Sequence, residues 1–464
     1  MVKKIFSSPT IMTWISYFVR FGSTIFVLPL ILLKFPEAEI AVWFVFSLVI
    51  GLAQLADSGF GPSIVRSTSY YYAGSKHIPK NIKEFKSKKE INSNVNYNGL
   101  IDLLNTVNIV YIFLGFISVV VLMFVGEFIV SNSINMTDNV AMLNSAFYLI
   151  VIQAYVNLQK VKWVSFIQGV DKVASIQLAQ SIINALNIIF NFLSLSLGYG
   201  IFALLAINLI FNLVTLFYSK YFVIKWFKQN EKLYSLKYNF NKRIFISIWP
   251  STWRWGLMQY GGYLTNNGSA IVVSQLSSPT LIASFLLSQR AIFFIRQVSQ
   301  APLYANLPRI FQLMAKQDYK VLKPYCAKAI RMGLAIQFIV LLIMILIGPK
   351  MLDVFEINTK LAPLSVLLVM SVSIMLELHH AFHAQIYMGS NHVPFLLPAV
   401  LSGIAIVGIS FGIVNHYGLI GIVIVQFLVQ LSFNNWYPVY LNLKLLNWPF
   451  LEYIKCLFYV KKCN

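Results

Sequence analysis

The sequence predicts an all-α membrane protein with twelve transmembrane helices in two six-helix lobes and both termini in the cytoplasm. Three observations carry that expectation. Hydrophobic residues make up 58% of the chain and charged residues only 11%, and the mean hydropathy is +0.71, far from the averages of water-soluble domains. The apolar residues form runs of about 20 or more, long enough to cross a hydrocarbon core of about 30 Å at 1.5 Å per residue. Basic residues collect in every second connection between those runs.

The runs lie near 11–33, 40–60, 102–126, 141–159, 173–193, 201–224, 247–274, 281–303, 325–347, 361–388, 394–414 and 419–443. The first is too long for the apolar part of a secretion signal and lacks a small-x-small cleavage site, so it is expected to remain as a helix. Of the 36 Lys and Arg residues, 29 fall on the side that bears both termini, Lys160 and Lys162 among them. The other side takes Lys34, Lys350 and Lys360, and Arg20, Arg254, Arg290 and Arg296 lie inside runs. The positive-inside rule then places both termini in the cytoplasm. The net charge of +21 is read as a topology signal that also attracts membrane lipid headgroups. No nucleic-acid partner is expected.

The basic segment 225–243 separates six runs from six, giving an N-lobe at 1–232 and a C-lobe at 233–464. Each lobe begins and ends in the cytoplasm, the arrangement of parallel repeats with a substrate site between them near the midplane. Pro36 precedes Arg66, and Pro279 precedes Arg309, by 30 positions. The connection at 70–99 spaces Ile78, Ile82 and Phe85 like a surface helix, but its lysines read first as a solvated basic loop. Cys326, Cys456 and Cys463 fall on the reducing side without metal-ligand spacing, so three free thiols are expected.

An arginine at the centre of a membrane helix costs about 2.5–3.5 kcal/mol even on lenient insertion scales. Arg20 shares a narrow stripe with Tyr17 and Thr24, and Arg254 shares a face with Gly261, Thr265 and Gly268, with Asn266 nearby. Such a polar helix is expected to line protein or water rather than lipid. In the eighth run Gln289, Arg290, Arg296 and Gln297 occupy one arc. The structural alternative for each arginine is an ion pair or snorkelling to a headgroup. Only two acids, Asp57 in the second run and Glu377 in the tenth, are placed to help, so even perfect pairing leaves two of the four arginines without a carboxylate; an anionic ligand resolves the imbalance, and arginine's planar fork suits phosphate oxygens.

Trp249, Trp253 and Trp255 begin the seventh run and read as an interfacial aromatic belt, with sugar stacking as the alternative. His379 and His383 are i, i+4 neighbours near Glu377, a spacing able to hold a metal. With the other histidines scattered, no metal site is expected, and Glu377 with His380 is kept as a candidate for proton sensing.

The segment "LAQLADSGFGPSIVRSTSYYYAG", with Asp57, Gly59 and Arg66, closes the second run. It resembles the polysaccharide flippases of the multidrug/oligosaccharidyl-lipid/polysaccharide (MOP) exporter superfamily, especially the Wzx-type O-antigen transporters. The resemblance implies translocation of an undecaprenyl-diphosphate-linked oligosaccharide from the cytoplasmic to the periplasmic leaflet of a bacterial inner membrane. It implies alternating access through a cationic central cavity, no enzymatic chemistry, no cofactor beyond a coupling proton or sodium gradient, and a polymerase or chain-length regulator as possible partners. Related lipid II flippases carry arginines around such a cavity, similar to Arg20, Arg254 and Arg290. Asp57, Arg66, Glu377 and His380 are then gate or coupling candidates. The rivals are a drug or organic-cation exporter of the same fold, which needs carboxylates in its cavity, and a lipid-linked glycan polymerase or glycosyltransferase, which needs an acid pair on an external loop.

The topology is checked by reporter fusions: those at Lys83, Lys237 and Lys320 are expected to report cytoplasm, and those at Asn135 and Ser277 the opposite side. An external signal at Lys237 overturns the six-plus-six layout.

Overall fold

The computed structural model describes residues 22, 26–57, 59–76, 94–230, 239–315, 318–388 and 394–458. Helices dominate them: α1 (Leu28–Lys34), α2 (Glu37–Gln54), α3 (Phe60–Tyr72), α4 (Tyr97–Val121), α5 (Glu127–Asn135), α6 (Val140–Gly169), α7 (Val173–Ser196), α8 (Ile201–Gln229), α9 (Lys242–Val273), α10 (Pro279–Ser299), α11 (Ala301–Ala315), α12 (Tyr319–Val354), α13 (Leu364–Met388), α14 (Leu396–Val429), α15 (Tyr437–Leu445) and α16 (Phe450–Phe458). Short polar side chains open several of them, where the first backbone N–H groups lack helical partners. Asn96 Oδ1 accepts from Gly99 N–H at 2.9 Å ahead of α4, and Asp318 Oδ1 accepts from Val321 N–H at 3.3 Å ahead of α12. At the other end of α7, the Lys34 ammonium donates to the carbonyls of Leu195 (2.6 Å) and Ser196 (3.1 Å), where the helix dipole is negative.

Among the described residues nine helical runs are long and apolar enough to cross a membrane, and the chain is a multi-pass membrane protein. One of the nine, Leu396–Leu445, covers both of the last two predicted spans. Thr265 Oγ1 donates to Ala399 O at 3.3 Å, and Gln426 Nε2 donates to Thr265 O at 3.4 Å. A straight helix would hold Ala399 and Gln426 about 40 Å apart, so the chain folds back between them. The reversal is at Gly418, the non-helical residue inside α14 with φ +55°, a conformation that glycine adopts without penalty. The seventh predicted span, α9, is 32 residues long but is not among the nine. Most of the first predicted span and the segment with Ile78, Ile82 and Phe85 lie outside the described residues.

The chain divides into two compact units, Met1–Gln259 and Tyr260–Asn464, and the division falls within α9. In the first, Phe60 and Ile64 of α3, Leu103 and Tyr111 of α4, Phe166 of α6 and Phe227 of α8 belong to one buried cluster. In the second, the core joins Leu303 of α11, Ile330 of α12, Phe382 of α13, Leu443 of α15 and Tyr453 of α16. Outside these cores the helices remain apolar where they are exposed, as at Phe113, Phe116, Phe124 and Phe128, the surface that hydrocarbon covers. Cys326 is buried and free, but Cys456 is disulfide-bonded. The expectation of three free thiols therefore fails: sequence spacing carries no information on which sulfurs the fold brings together.

Close helix approach in the second unit depends on glycine. A Cβ on Gly261 would sit 2.6 Å from Val400 N, and one on Gly403 2.6 Å from Leu264 Cβ and 2.9 Å from Gly261 O. This is the small-residue contact by which membrane helices gain dispersion energy without a hydrophobic driving force. At Gly262, the next residue, a Cβ would meet nothing within 4 Å. Gly261→Ala and Gly403→Ala are each expected to destabilise the protein by about 1–3 kcal/mol through overpacking, whereas Gly262→Ala should be neutral or stabilising. Thermal melts of the purified variants in one detergent check the contrast.

Candidate functional site

Arg20, Tyr17 and Thr24 lie outside the described residues. The Asp57 motif is the break between α2 and α3. Gly59 has φ +78°, and a Cβ there would meet Trp255 Cβ at 2.8 Å and Thr252 O at 3.0 Å, so both its conformation and its neighbours require glycine. Asp57 Oδ2 accepts from Gly61 N–H at 2.9 Å, capping the restarted helix, and its Oδ1 accepts from the Tyr111 hydroxyl. Arg66 is exposed on α3.

Arg254, in the first unit, is exposed, with its guanidinium 5.6 Å from the ring centre of Trp253, a cation–π distance. Trp249, Trp253 and Trp255 are all exposed, and Trp249 stacks on Phe245 with ring centres 5.4 Å apart. The other three residues of its predicted face, Gly261, Thr265 and Gly268, pack against α14. The expectation that this face lines protein rather than lipid is met there by a helix contact.

In the second unit α10 carries two arginines in different surroundings. Arg290 is exposed and, among the described residues, in no ion pair. Arg296 forms an ion pair with the buried carboxylate of Glu377 on α13, and its Nε is buried without a hydrogen-bond partner. Gln289 is buried and donates through Nε2 to Asn266 O at 3.1 Å, while Asn266 Oδ1 is buried without a partner. Gln297 is exposed. Gln426 accepts from the Ser269 hydroxyl at 2.7 Å and lines, with Gln289 and Glu377, a small cavity of about 20 Å³.

The histidine cluster docks α16. The Tyr453 hydroxyl lies 2.6 Å from His379 Nε2 and 3.0 Å from His383 Nε2, and His383 Nδ1 lies 2.8 Å from Asn442 Nδ2. Burial pushes the pKa of the Tyr453 phenol above its ordinary range. His380 Nδ1 lies 3.0 Å from Asn435 Oδ1. Among the described residues no group of three or more His, Cys, Asp or Glu side chains is placed to hold a metal.

Two lysines require correction. Lys160 and Lys162 count as cytoplasmic-loop charges in the sequence, but α6 continues to Gly169 and encloses both. Lys162 is buried and donates to Asn108 Oδ1 and, at 2.6 Å, to Gln159 Oε1. Lys160 donates to Asn212 Oδ1 at 2.6 Å and faces a polar cavity of about 360 Å³ walled by α6, α7 and α8. On α7 the amides Gln177, Gln180, Asn184, Asn187 and Asn191 recur at spacings of three and four, one helical face. That periodicity is the signal by which the sequence could have revealed the cavity.

No protein-family model matches the chain, and no curated relative does. Solved structures match it over nearly its whole length. The lipid II flippase MurJ in an inward closed conformation aligns with a TM-score of 0.65 at 15% identity, over 97% of this chain and 89% of its own. An inward-facing multidrug resistance MATE family transporter of the MOP superfamily gives 0.65 at 15%, over 91% and 95%. The fold is that of MOP-superfamily transporters. A MOP transporter from Pyrococcus furiosus, described as having a binding pocket of reversed polarity that suggests a different function, aligns at 0.57 and 14%, over 96% of each chain. These neighbours are transporters and a flippase, and at such identity they establish the fold alone.

The Arg296–Glu377 pair is tested for its structural role. Glu377→Gln leaves a largely buried guanidinium without its counter-charge and is expected to cost about 3 kcal/mol. The double variant Arg296→Met/Glu377→Met should recover most of that loss. Melting temperature and membrane abundance of the two variants check the pair.

Proposed function

We propose that the protein is a flippase that carries an undecaprenyl-diphosphate-linked oligosaccharide, of the O-antigen repeat-unit kind, across a bacterial inner membrane. In this reading twelve helices form two lobes that alternate access, with both termini cytoplasmic. The fold supports the class, since a lipid flippase and multidrug exporters share it. The observation that carries the substrate is the state of the charges inside the spans. Asp57 and Glu377 are engaged internally, Asp57 by Tyr111 and Gly61 and Glu377 by Arg296. Arg254 and Arg290 are exposed and, among the described residues, in no ion pair. Free cationic forks attract a diphosphate and repel an organic cation, which disfavours the drug-exporter reading.

Arg20, Arg254 and Arg290 are the anion-binding residues of this proposal, with Tyr17, Thr24, Asn266 and Gln297 as polar lining. Arg296, neutralised by Glu377, fastens α10 to α13 instead. Asp57 and the Gly59 break are assigned to a hinge, with Arg66 beside it on α3.

Deletion of the gene is expected to leave lipid-linked oligosaccharide on the cytoplasmic leaflet. In the deletion strain, Arg290→Ala at normal membrane abundance should lower surface-glycan export about tenfold or more, the loss expected for a charge-assisted hydrogen bond. Arg290→Lys should restore part of it, and Arg290→Glu should be the most impaired. For Arg20, export by Arg20→Met equal to the parent's at normal abundance removes that residue from the site.

A further inference from the structure

The cavity between α6, α7 and α8 is a built polar site with no role in the anion chemistry above. Among the described residues, eight of its eleven lining side chains carry amides, none carries a carboxylate, and Lys160 is the one charged group. Its volume of about 360 Å³ lies within the range of small-molecule sites, roughly 300–1,000 Å³. Helix fastening explains part of the polarity: Asn187 Nδ2 donates to Asn208 Oδ1 at 2.9 Å, and Asn191 Nδ2 to the same oxygen at 3.1 Å. Fastening alone has no use for the rest. Gln153 Oε1 is buried without a partner, and Gln168, Gln177 and Gln180 line the open space.

An amide donates and accepts at once, as a sugar hydroxyl does, so a wall of amides matches a polyhydroxylated ligand in either hydrogen-bond sense. Phe211, packed on Phe190 with ring centres 5.6 Å apart, adds one apolar face. Of the three protons of the Lys160 ammonium one goes to Asn212 Oδ1, and among the described residues the cavity wall offers it no carboxylate. A half-buried cation with no counter-charge favours a ligand that brings the negative charge.

We propose that this cavity is a glycan-binding subsite, lined by neither Arg254 nor Arg290, that takes a sugar residue bearing an acidic group and sets that group against Lys160. It rests on the flippase reading only for the source of the sugar, because binding is measured without transport.

The probes are a hyaluronan tetrasaccharide, which carries glucuronate, and neutral chitotetraose, titrated calorimetrically into the full-length protein in phosphatidylcholine nanodiscs. Saturable binding is expected, tighter for the acidic probe. Lys160→Gln should weaken the acidic probe about tenfold, to the level of the neutral one, and Lys160→Arg should retain the preference. Gln177→Ala and Gln180→Ala, on the open wall and away from the Asn187–Asn208 contact, should weaken both probes. No saturable binding of either sugar overturns the proposal, as does a Lys160→Gln variant that keeps the acidic preference. Loss of binding in nanodiscs containing phosphatidylglycerol assigns the cavity to an anionic lipid headgroup and also overturns it. Failure of transport in the arginine variants leaves these titrations unaffected, so the two readings fail separately.

Discussion

Inside a bilayer no water is available to complete a hydrogen bond, so each polar group in the spans has to find a partner within the protein or line a space that water or a ligand can enter. Several charged groups of the described helices meet that constraint, whereas Gln337 is fully buried with neither amide atom partnered. Asp57 accepts from a backbone N–H and a phenol. Lys162 is bound by Asn108 and Gln159, and Glu377 by Arg296. Where no polar partner is offered, helices approach by removing side chains, as at Gly261 and Gly403. Satisfied groups therefore mark the framework, and exposed charges and open polar cavities mark places that a ligand can enter.

By that criterion two chemistries stand apart. Arg254 and Arg290 present exposed guanidinium groups, suited to phosphate oxygens. The cavity of the first unit presents neutral amides with one ammonium, suited to hydroxyls and a single acidic group. A lipid-linked oligosaccharide contains both kinds of group, a diphosphate with a fixed charge and a glycan of variable composition. In the proposed reading, separating their recognition would let sugar selectivity change through the amides without touching the arginines assigned to the diphosphate.

Much of the fold was legible in the sequence, because apolar length and capping residues are local properties. The helix starts at Asn96, Ser278 and Asp318 carry residues that prefer such positions. The partners of charges were less legible, being set by neighbouring helices. Counting lysines by position put Lys160 and Lys162 in a loop, since an apolar run ends near 159, whereas α6 continues ten residues further. The amide stripe on α7 is hard to read for a related reason: averaging hydropathy over a window dilutes five polar residues among leucines and isoleucines, although their spacing of three and four is present throughout. The disulfide at Cys456 had no sequence signal at all.

Arg290 and Arg296 show how far a helical wheel can be taken. Six residues advance the helix by about 600°, which leaves the two side chains about 120° apart, close enough to be read as one polar arc. The arc is real, but its two edges meet different neighbours. At one edge α13 supplies Glu377, and the charge of Arg296 becomes part of the helix packing. At the other edge no acid is supplied among the described residues, and Arg290 stays exposed. In the proposed reading an intramembrane arginine gains a ligand-binding role by what the adjacent helix lacks, and the scarcity of acids in the spans, visible from composition alone, leaves such a charge without a counter-charge.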